Sequence, residues 1–338
     1  MKKITIRCLT YPSKGYGNFS RCLNIAESLS QHNCVVSFVI DYNKFVINEL
    51  KKRKFNFISI PLSKSIFQKN NLFKNYLKQH NPDLCIIDMR EYGENLSKKL
   101  FNSNFKVILF DDAWSKQVYA NMIFNGTNIE SYHNYKLINK KSKLFLGTKY
   151  WILDKNFKIL RKKLSLIKNK KKYSVVISMG GSDKYNLTTT TVKSLLTIDN
   201  LHLSIIIGPF FSHKKTLMKI ISSNPNISLH ISPSKIWQIF STADVAVCTG
   251  GNTLFELACM GIPTLSIPSV EHEIKYTEKF NSQNFSLNLK LREKNLDLIK
   301  SSILQLICDI KLQKKKSIHG QKIIDGKGLS RVTKEILN

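Results

Sequence analysis

The 338-residue sequence lacks the features that define several protein classes. No apolar run approaches the ~20 residues of a membrane-spanning helix, and early charges at Lys3 and Arg7 leave no room for a secretory signal core. The seven cysteines are scattered, without a C-x-x-C pair or a zinc-ligand spacing, and no two carboxylates form a D-x-D pair. We therefore expect a cytoplasmic globular protein with reduced cysteines and with no metal or cofactor.

Arginine and acidic residues are both scarce beside lysine. The chain has 53 Lys and Arg against 23 Asp and Glu, a net charge of +30, yet only seven of the basic residues are Arg. This charge raises nucleic acid or an anionic membrane surface as a partner. Bidentate contacts to bases and phosphates favour Arg, so nucleic acid is the weaker expectation. The excess of Lys, Asn, Ile and Phe is also what an A·T-rich coding sequence produces.

Short apolar runs alternate with amphipathic stretches, a pattern typical of β-α units with parallel sheets. In the first half the predicted strands are 3–9, 35–41, 55–60, 84–88, 106–110 and 122–125, with helices at 19–31 and 66–79. The pattern restarts with strands at 173–178, 203–207, 227–231, 245–248 and 263–267. Helices are predicted from 187, at 212–222, at 234–241 with a side-chain cap, and after the turn at 250, before a helical tail over 291–337.

This repetition predicts an α/β protein with two Rossmann-like, doubly wound domains that face a central cleft. The domains expected are 1–150, which would hold the acceptor and catalytic groups, and 173–325, which would bind a nucleotide sugar. A lysine-rich linker, 151–172, joins them, and a C-terminal helix, 326–338, packs back. A cleft between two such domains is the usual place for a ligand.

Three strand-to-helix turns carry glycines, at 15–18, 180–183 and 249–253. None is a Walker A loop and none completes G-x-G-x-x-G. Each can present backbone N–H groups to an anion, although glycine also ends strands for conformational reasons alone. Three such turns favour a ligand with a pyrophosphate. The predicted phosphate contacts are Gly17, Gly180, Gly181, Ser182, Gly250, Gly251, Asn252 and Thr253.

Two charged side chains near these turns have two interpretations each. Glu256 stands on an otherwise apolar helix, near its start. It either caps helix N–H groups or accepts hydrogen bonds from two ribose hydroxyls beside the diphosphate, where such pairing discriminates strongly. Arg21 either neutralises a phosphate or pairs with a nearby acid.

The stretch 250–263 (GGNTLFELACMGIP) resembles the UDP-sugar site of GT-B fold enzymes. Over nearly the whole chain the sequence resembles the UDP-2,4-diacetamido-trideoxyhexose hydrolase family of pseudaminic acid biosynthesis and its spore-coat polysaccharide relatives. The segments that carry this resemblance are 15–23 (GYGNFSRCL), Asp88 with Tyr92, 111–112, 147–157 (GTKYWILDKNF), 177–183 (ISMGGSD) and 325–331 (DGKGLSR). The resemblance implies a GT-B-like fold and a UDP-linked amino or deoxy sugar of surface-polysaccharide or nonulosonate biosynthesis.

Two positions depart from that family's pattern. The family's histidine, the proposed base that activates water, falls at Asn18, whose side chain cannot accept a proton near neutral pH. Glu271-His272-Glu273 stands where many relatives have Asn-Gln. The candidate catalytic residues are therefore Asn18, Asp88, Tyr92 and His272. His272 is either a substitute base, with a pKa that the flanking carboxylates would raise, or a solvated loop residue.

Three functions follow from these observations. A glycosyltransferase is favoured, because Asn18 removes the base that a hydrolase needs. In it the C-terminal half would hold the UDP-sugar and the N-terminal half a glycan or a lipid-linked acceptor, and basic residues would help a peripheral enzyme reach the inner face of a membrane. The alternatives are the hydrolase itself and a non-catalytic binder of nucleotide sugars or nucleic acid.

Overall fold

The computed structural model of the protein describes residues 1–10, 17–89, 93–112, 117–163, 168–222 and 224–338. The backbone forms two compact units. The first comprises Met1–Leu153 with Lys327–Asn338, and the second comprises Asp154–Gly326. Most of the stretch 151–172, expected as a linker, therefore lies in the second unit, and the last helix lies in the first.

The first unit is built on a seven-stranded parallel sheet in the order β3-β2-β1-β4-β5-β7-β9. Its elements are β1 Lys3–Cys8, α1 Gly17–Gln31, β2 Val35–Asp41, α2 Lys44–Lys52, β3 Asn56–Ile60, α3 Ile66–His80, β4 Leu84–Asp88, α4 Gly93–Phe101, β5 Val107–Phe110, β6 Gln117–Val118, β7 Met122–Asn125, β8 Lys136–Leu137 and β9 Lys143–Leu146. The short strands β6 and β8 pair separately.

The second unit has a six-stranded parallel sheet in the order β12-β11-β10-β13-β14-β15. Its elements are α5 Lys155–Ile159, β10 Tyr173–Ser178, α6 Leu187–Leu195, β11 Leu201–Ile207, α7 Lys214–Ile221, β12 Ile227–Ile231, α8 Ile236–Ser241, β13 Val245–Cys248, α9 Asn252–Met260, β14 Thr264–Ser266, α10 Glu271–Ser282, β15 Ser286–Asn288, α11 Leu296–Cys308 and α12 Ile310–Ile323. The last helix, α13 Gly328–Leu337, packs on α1 in the first unit.

Both faces of the first sheet are buried, as expected for a parallel sheet covered by helices on each side. Along β4, Leu84 and Ile86 point into the core that holds α1 and α13, whereas Cys85 and Ile87 point into the core that holds α3 and α4. None of the described helices is both long enough and apolar enough to span a bilayer.

The strand order reverses at one place in each sheet, between β1 and β4 and between β10 and β13. In doubly wound folds the carboxyl ends of strands at such a switch point form the usual binding site. Asp88 ends β4, and the glycine turns at 180–183 and 249–251 follow β10 and β13. The fold therefore places Asp88 and two of the three glycine turns at the switch points.

Two sequence predictions of local structure were wrong, and several elements were not predicted. The helix α8 has Lys235 at its N-cap and no side-chain cap, because the serine expected to cap it lies one residue too early. His272 lies in the first turn of α10 and not in a loop, since the glutamates around it suit the positive end of a helix. The helices α2 and α4 and the strands β9 and β15 were not predicted.

Candidate functional site

The turn after β13 presents backbone donors at the start of α9. Gly251 is the N-cap and has no side chain to satisfy the N–H groups of the first turn. The N–H groups of Asn252 and Thr253 have no intrahelical partner by geometry, and within the described residues no side chain accepts from them. A nine-residue helix adds a partial positive charge at this end. The turn therefore suits an anionic group.

The glycines of this turn differ in why they must be small. A Cβ on Gly250 would lie 2.7 Å from the Cβ of Glu273 and 2.9 Å from Cγ2 of Thr277, so α10 packs directly on this backbone. A Cβ on Gly251 would meet nothing closer than 3.5 Å, from Oε1 of Glu273. Gly250 is thus required by helix packing, whereas Gly251 leaves room above the start of α9.

Glu256 stands one turn into α9 and is partly exposed, among buried neighbours on either side. Burial, together with the negative charge of Asp154, raises the pKa of Glu256 to about 7. Asp154 is the N-cap of α5 and accepts from the N–H of Asn156 at 2.8 Å. Among the described residues Glu256 caps no helix, which removes the first of its two interpretations; the contact with ribose hydroxyls stays a prediction.

In the turn after β10, a carboxylate of the protein itself accepts hydrogen bonds from the start of the next helix. Gly180 has φ +83°, and Asp183 places Oδ1 2.9 Å from the N–H of Leu187 and Oδ2 2.8 Å from the N–H of Thr188. The amino end of α6 is therefore neutralised by the protein's own carboxylate. A phosphate contact at Gly180, Gly181 and Ser182 stays a prediction, and it would have to use the N–H groups of the turn itself.

The Glu271-His272-Glu273 motif forms the first turn of α10. Glu273 is buried and accepts from the N–H and the hydroxyl of Ser269 at 2.7 and 2.9 Å. Its other oxygen faces the turn at Gly251. Glu271 and His272 are exposed. Glu273 therefore anchors the loop before α10, whereas the two other titratable groups of the motif, Glu271 and His272, are exposed.

At the switch point of the first unit, Asp88 is held by three side chains from α1. Arg21 binds it in bidentate fashion, with Nε 2.7 Å from Oδ2 and Nη2 2.6 Å from Oδ1. Asn18 donates Nδ2 to Oδ1 at 2.6 Å, and the thiol of Cys22 lies 3.4 Å from Oδ2. Asp88 is fully buried. Burial opposes the charge of Arg21, yet the attraction of Asp88 outweighs it and raises the pKa of the guanidinium.

The acidic pair after β5 divides into a buried and a more exposed member. Asp111 is buried and accepts from the hydroxyl of Tyr135 at 2.9 Å, while Nδ2 of Asn125 donates to that same hydroxyl at 2.6 Å. Burial and the charge of Asp111 both raise the pKa of Tyr135. The carboxylate of Asp112 is 18% exposed and lies 3.5 Å from Nη2 of Arg21. Asp112 is thus the more accessible carboxylate at this edge.

Residues 165–327, which make up most of the second unit, match the family model of the glycosyltransferase family 28 C-terminal domain. The spore coat polysaccharide biosynthesis protein SpsG of Bacillus subtilis is 24% identical over 328 residues, which cover 95% of this chain and 93% of that protein. An uncharacterized protein of Methanocaldococcus jannaschii is 28% identical over 260 residues, which cover 74% of this chain and 52% of that protein. The match thus spans about half the length of the archaeal relative.

Solved structures align with the entire chain. MurG of Acinetobacter baumannii superposes with a TM-score of 0.71 at 12% identity, over 100% of this chain and 99% of that one. The spinosyn rhamnosyltransferase SpnG complexed with thymidine diphosphate gives 0.68 at 12% identity, over 100% of both chains. The Staphylococcus aureus MnaA–UDP structure gives 0.67 at 14% identity, over 99% and 96%. The protein has the GT-B fold.

Within this GT-B protein the predicted residues fall into two groups. Asn18, Arg21 and Asp88 meet at the switch point of the first unit, with Gly17 at the start of α1. Residues 250–253 and Glu256 meet around the start of α9 in the second unit. Of Arg21's two interpretations, the structure shows the pairing with acids, and a phosphate contact stays a prediction. Tyr92, Gly15 and Tyr16 lie outside the described residues.

Sequence reasoning missed the side chains that act on these groups. It did not anticipate that Asp154 faces Glu256, that Asp183 occupies the start of α6, or that Tyr135 and Asn125 secure Asp111. Most of these pairs join residues on different elements, and the sequence carries no signal for them. Only the capping by Asp183 is local, and an acid four residues before Leu187 could have indicated it.

Proposed function

We propose that the protein is a glycosyltransferase that transfers the sugar of a UDP-linked donor, breaking the bond between C1 and the diphosphate oxygen. The family 28 C-terminal domain match and the similarity to a spore coat polysaccharide biosynthesis protein support this class of activity. Structural neighbours described with thymidine diphosphate or UDP support a nucleoside diphosphate donor. An amino or deoxy sugar destined for a surface polysaccharide or a nonulosonate glycan is the proposed substrate.

The second unit supplies the proposed donor site. The diphosphate would receive hydrogen bonds from N–H groups at Gly251, Asn252 and Thr253, and the positive end of α9 would stabilise its growing negative charge as C1–O cleavage proceeds. Donors that are fixed before the reaction act at full strength, because no reorganisation is needed. Glu256, one turn further along α9, would accept hydrogen bonds from the two ribose hydroxyls.

The observation that favours transfer over hydrolysis is the burial of Asp88 in the first unit and the occupation of both its oxygens. Both of its oxygens are occupied by Arg21 and Asn18, and the carboxylate is fully buried. A general base must reach the proton that it abstracts, so Asp88 cannot replace the missing histidine. Asn18 turns its carboxamide oxygen away from Asp88, where it can orient an acceptor hydroxyl without removing the proton.

Hydrolysis is the second candidate, and one observation favours it. Asp112 keeps a partly exposed carboxylate at the same sheet edge, 3.5 Å from Nη2 of Arg21. It could accept a proton from water, in which case the protein would be a UDP-2,4-diacetamido-trideoxyhexose hydrolase. His272 in the second unit is an exposed titratable group that could also serve.

Mass spectrometry of the purified protein with a panel of UDP-sugars, with and without polyprenyl-linked acceptors, tests the proposal. We expect the UDP-sugar to be consumed, and UDP to be released, only when an acceptor is present. Free sugar formed equally without acceptor would establish hydrolysis instead. UDP-sugar binding with no turnover under any condition would leave a non-catalytic binder. An Asp112→Asn variant separates transfer from hydrolysis, because it would abolish only a hydrolysis in which Asp112 is the base.

A further inference from the structure

One end of the first unit carries an unusual number of exposed apolar side chains. Seven large ones lie between residues 42 and 72: Tyr42 (51% exposed), Phe45 (39%), Ile58 (38%), Leu62 (49%), Ile66 (41%), Phe67 (70%) and Leu72 (41%). All eight residues from Pro61 to Gln68 are exposed. We call this surface the β3 end, because β3 is the edge strand of the seven-stranded sheet.

Backbone geometry brings four of these side chains, those of Tyr42, Leu62, Ile66 and Phe67, to the carboxyl end of β3. Tyr42 follows β2 and donates its N–H to the carbonyl of Ile60, the last residue of β3, at 2.8 Å. Leu62 comes two residues after Ile60. Ser65 then caps α3 with its side chain and so places Ile66 and Phe67 in the first turn of that helix. The buried stripe of α3 begins only at Lys69, so this first turn stays open to solvent.

The segment that contains these side chains is also strongly basic. Residues 42–78 contain eight Lys and one Arg against a single acid, Glu49. Glu49 is paired with Arg53, and Lys69 is paired with Asp41 at 3.1 Å. The other seven lysines of the segment make no ion pair with any described residue: Lys44, Lys51, Lys52, Lys54, Lys64, Lys74 and Lys78. The ammonium of Lys99 on α4 lies 4.7 Å above the ring of Phe67 and adds to this charge.

We propose that the β3 end docks on the surface of an anionic phospholipid bilayer. Exposed Phe, Leu and Ile side chains would enter the boundary between headgroups and acyl chains, and the surrounding lysines would meet the lipid phosphates. Both kinds of side chain are needed. Lysines without apolar side chains bind a bilayer loosely, and an apolar surface without charge does not select anionic lipid. The proposal does not depend on the proposed catalytic activity.

Two other occupants fit the surface less well. A second copy of the chain would bring two surfaces of the same high positive charge together, and like charges oppose such an interface. Single-stranded nucleic acid uses aromatic stacking, but four of the seven side chains are Ile or Leu. The one Arg of the segment, Arg53, is held by Glu27 and Glu49.

Sedimentation of the full chain with sucrose-loaded vesicles tests the proposal. Vesicles of phosphatidylcholine alone are compared with vesicles in which a third of the lipid is phosphatidylglycerol. We expect binding to the second kind only. The pair Lys44→Gln/Lys64→Gln should lower the partition coefficient by about tenfold or more, given the usual contribution of a lysine near an anionic surface. The pair Leu62→Ser/Phe67→Ser should lower it by about tenfold or more, given the area that those side chains would bury.

Matched variants in the second unit control for a general loss of charge or of apolar surface. Ile318 and Ile159 are 47% and 67% exposed, close to Leu62 and Phe67, so Ile318→Ser/Ile159→Ser is the apolar control. Lys314→Gln/Lys315→Gln, on the exposed side of α12, is the charge control. Both should bind vesicles within about twofold of the unmodified chain.

Several results would overturn the proposal. Failure of the unmodified chain to bind anionic vesicles would do so, as would an equal loss in the control pairs. Light scattering that shows a dimer lost in Leu62→Ser/Phe67→Ser would assign the surface to a second copy. Binding to poly(U) RNA that is lost in the β3-end variants, without vesicle binding, would assign it to nucleic acid. A failed vesicle experiment beside acceptor-dependent sugar transfer would refute the docking surface alone.

Discussion

Asn18 donates a side-chain N–H to Oδ1 of Asp88 across 2.6 Å. An ionised carboxylate only accepts hydrogen bonds, so the nitrogen of this carboxamide, and not its oxygen, must face Asp88. A histidine at the same position would donate one ring N–H to Asp88 and keep its second nitrogen as a proton acceptor. Asp88 is thus placed to orient a titratable ring at position 18, whereas the carboxamide of Asn18 cannot take up a proton near neutral pH.

Replacing Asn18 with His should create water-dependent release of sugar from the UDP-sugar. The imidazole would gain Asp88 as its orienting partner, and general-base catalysis typically contributes about a hundredfold or more. Free sugar measured by mass spectrometry without acceptor should rise accordingly, and should rise further with pH as the imidazole loses its proton. Asn18→Gln, which has no titratable group, is the control. Brisk hydrolysis by the unmodified protein that Asn18→His leaves unchanged would contradict the transferase proposal.

Removing Arg21 should destabilise the first unit strongly. Arg21→Ala leaves Asp88 buried without its ion-pair partner, and losing one member of a buried pair costs about 3–5 kcal/mol. Thermal or urea unfolding would measure the loss. Arg53→Ala is the matched control, because Arg53 also binds carboxylates but its side chain is 33% exposed, and exposed pairs contribute about 1 kcal/mol or less. If both variants lose the same unfolding free energy, the buried carboxylate of Asp88 does not depend on Arg21 for its stability.

Apolar periodicity predicted most strands of both sheets, because a buried parallel strand is a short apolar run between turn residues. The predicted strands 84–88, 173–178 and 245–248 have the observed bounds. Helices with few buried residues were not predicted. The helix α2 buries only Val46 and Leu50, so its sequence resembles that of a charged loop. The first turn of α10 consists of charged residues and shows no apolar stripe.

The site was predictable only where its groups are neighbours in sequence. The glycine turn at 249–253 and Glu256 belong to one β-turn-α unit, so the spacing placed them together. Arg21 and Asp88 are 67 residues apart, and only the strand order between β1 and β4 brings them into contact. From the sequence alone, a phosphate and a nearby acid therefore remained alternative partners of Arg21.

Two adjacent glycines should separate packing from ligand binding. Gly250→Ala places a Cβ 2.7 Å from that of Glu273, and overpacking of this kind costs about 1–3 kcal/mol. Gly251→Ala meets only ordinary contacts and keeps a permitted φ of −83°, so the free energy of unfolding should change by about 0.5 kcal/mol or less. Isothermal titration with UDP should nevertheless show weaker binding, because the methyl group would stand where the diphosphate approaches. Unchanged UDP affinity in Gly251→Ala would place the nucleotide elsewhere.

The pKa of Glu256, raised to about 7 by burial and by Asp154, should give opposite pH trends for stability and for ligand binding. An unfolded glutamate titrates at its ordinary value near 4.5, so between that pH and about 7 the folded chain holds a proton that the unfolded chain lacks. The unfolding free energy should therefore fall as pH rises through this window, relative to Glu256→Gln. UDP affinity should instead rise through pH 7, because only the ionised carboxylate accepts from both ribose hydroxyls.

The titration of UDP itself is removed from this comparison by measuring Glu256→Gln and 2′-deoxy-UDP in parallel. The preference for UDP over the deoxy nucleotide should grow with pH in the unmodified protein and stay flat in Glu256→Gln. Asp154→Asn should shift that rise to lower pH, because it removes the neighbouring negative charge while its amide oxygen can still cap α5. If the preference for the ribose hydroxyl is the same at all pH values and in all three proteins, Glu256 does not bind the pentose, and its raised pKa reflects burial near Asp154 alone.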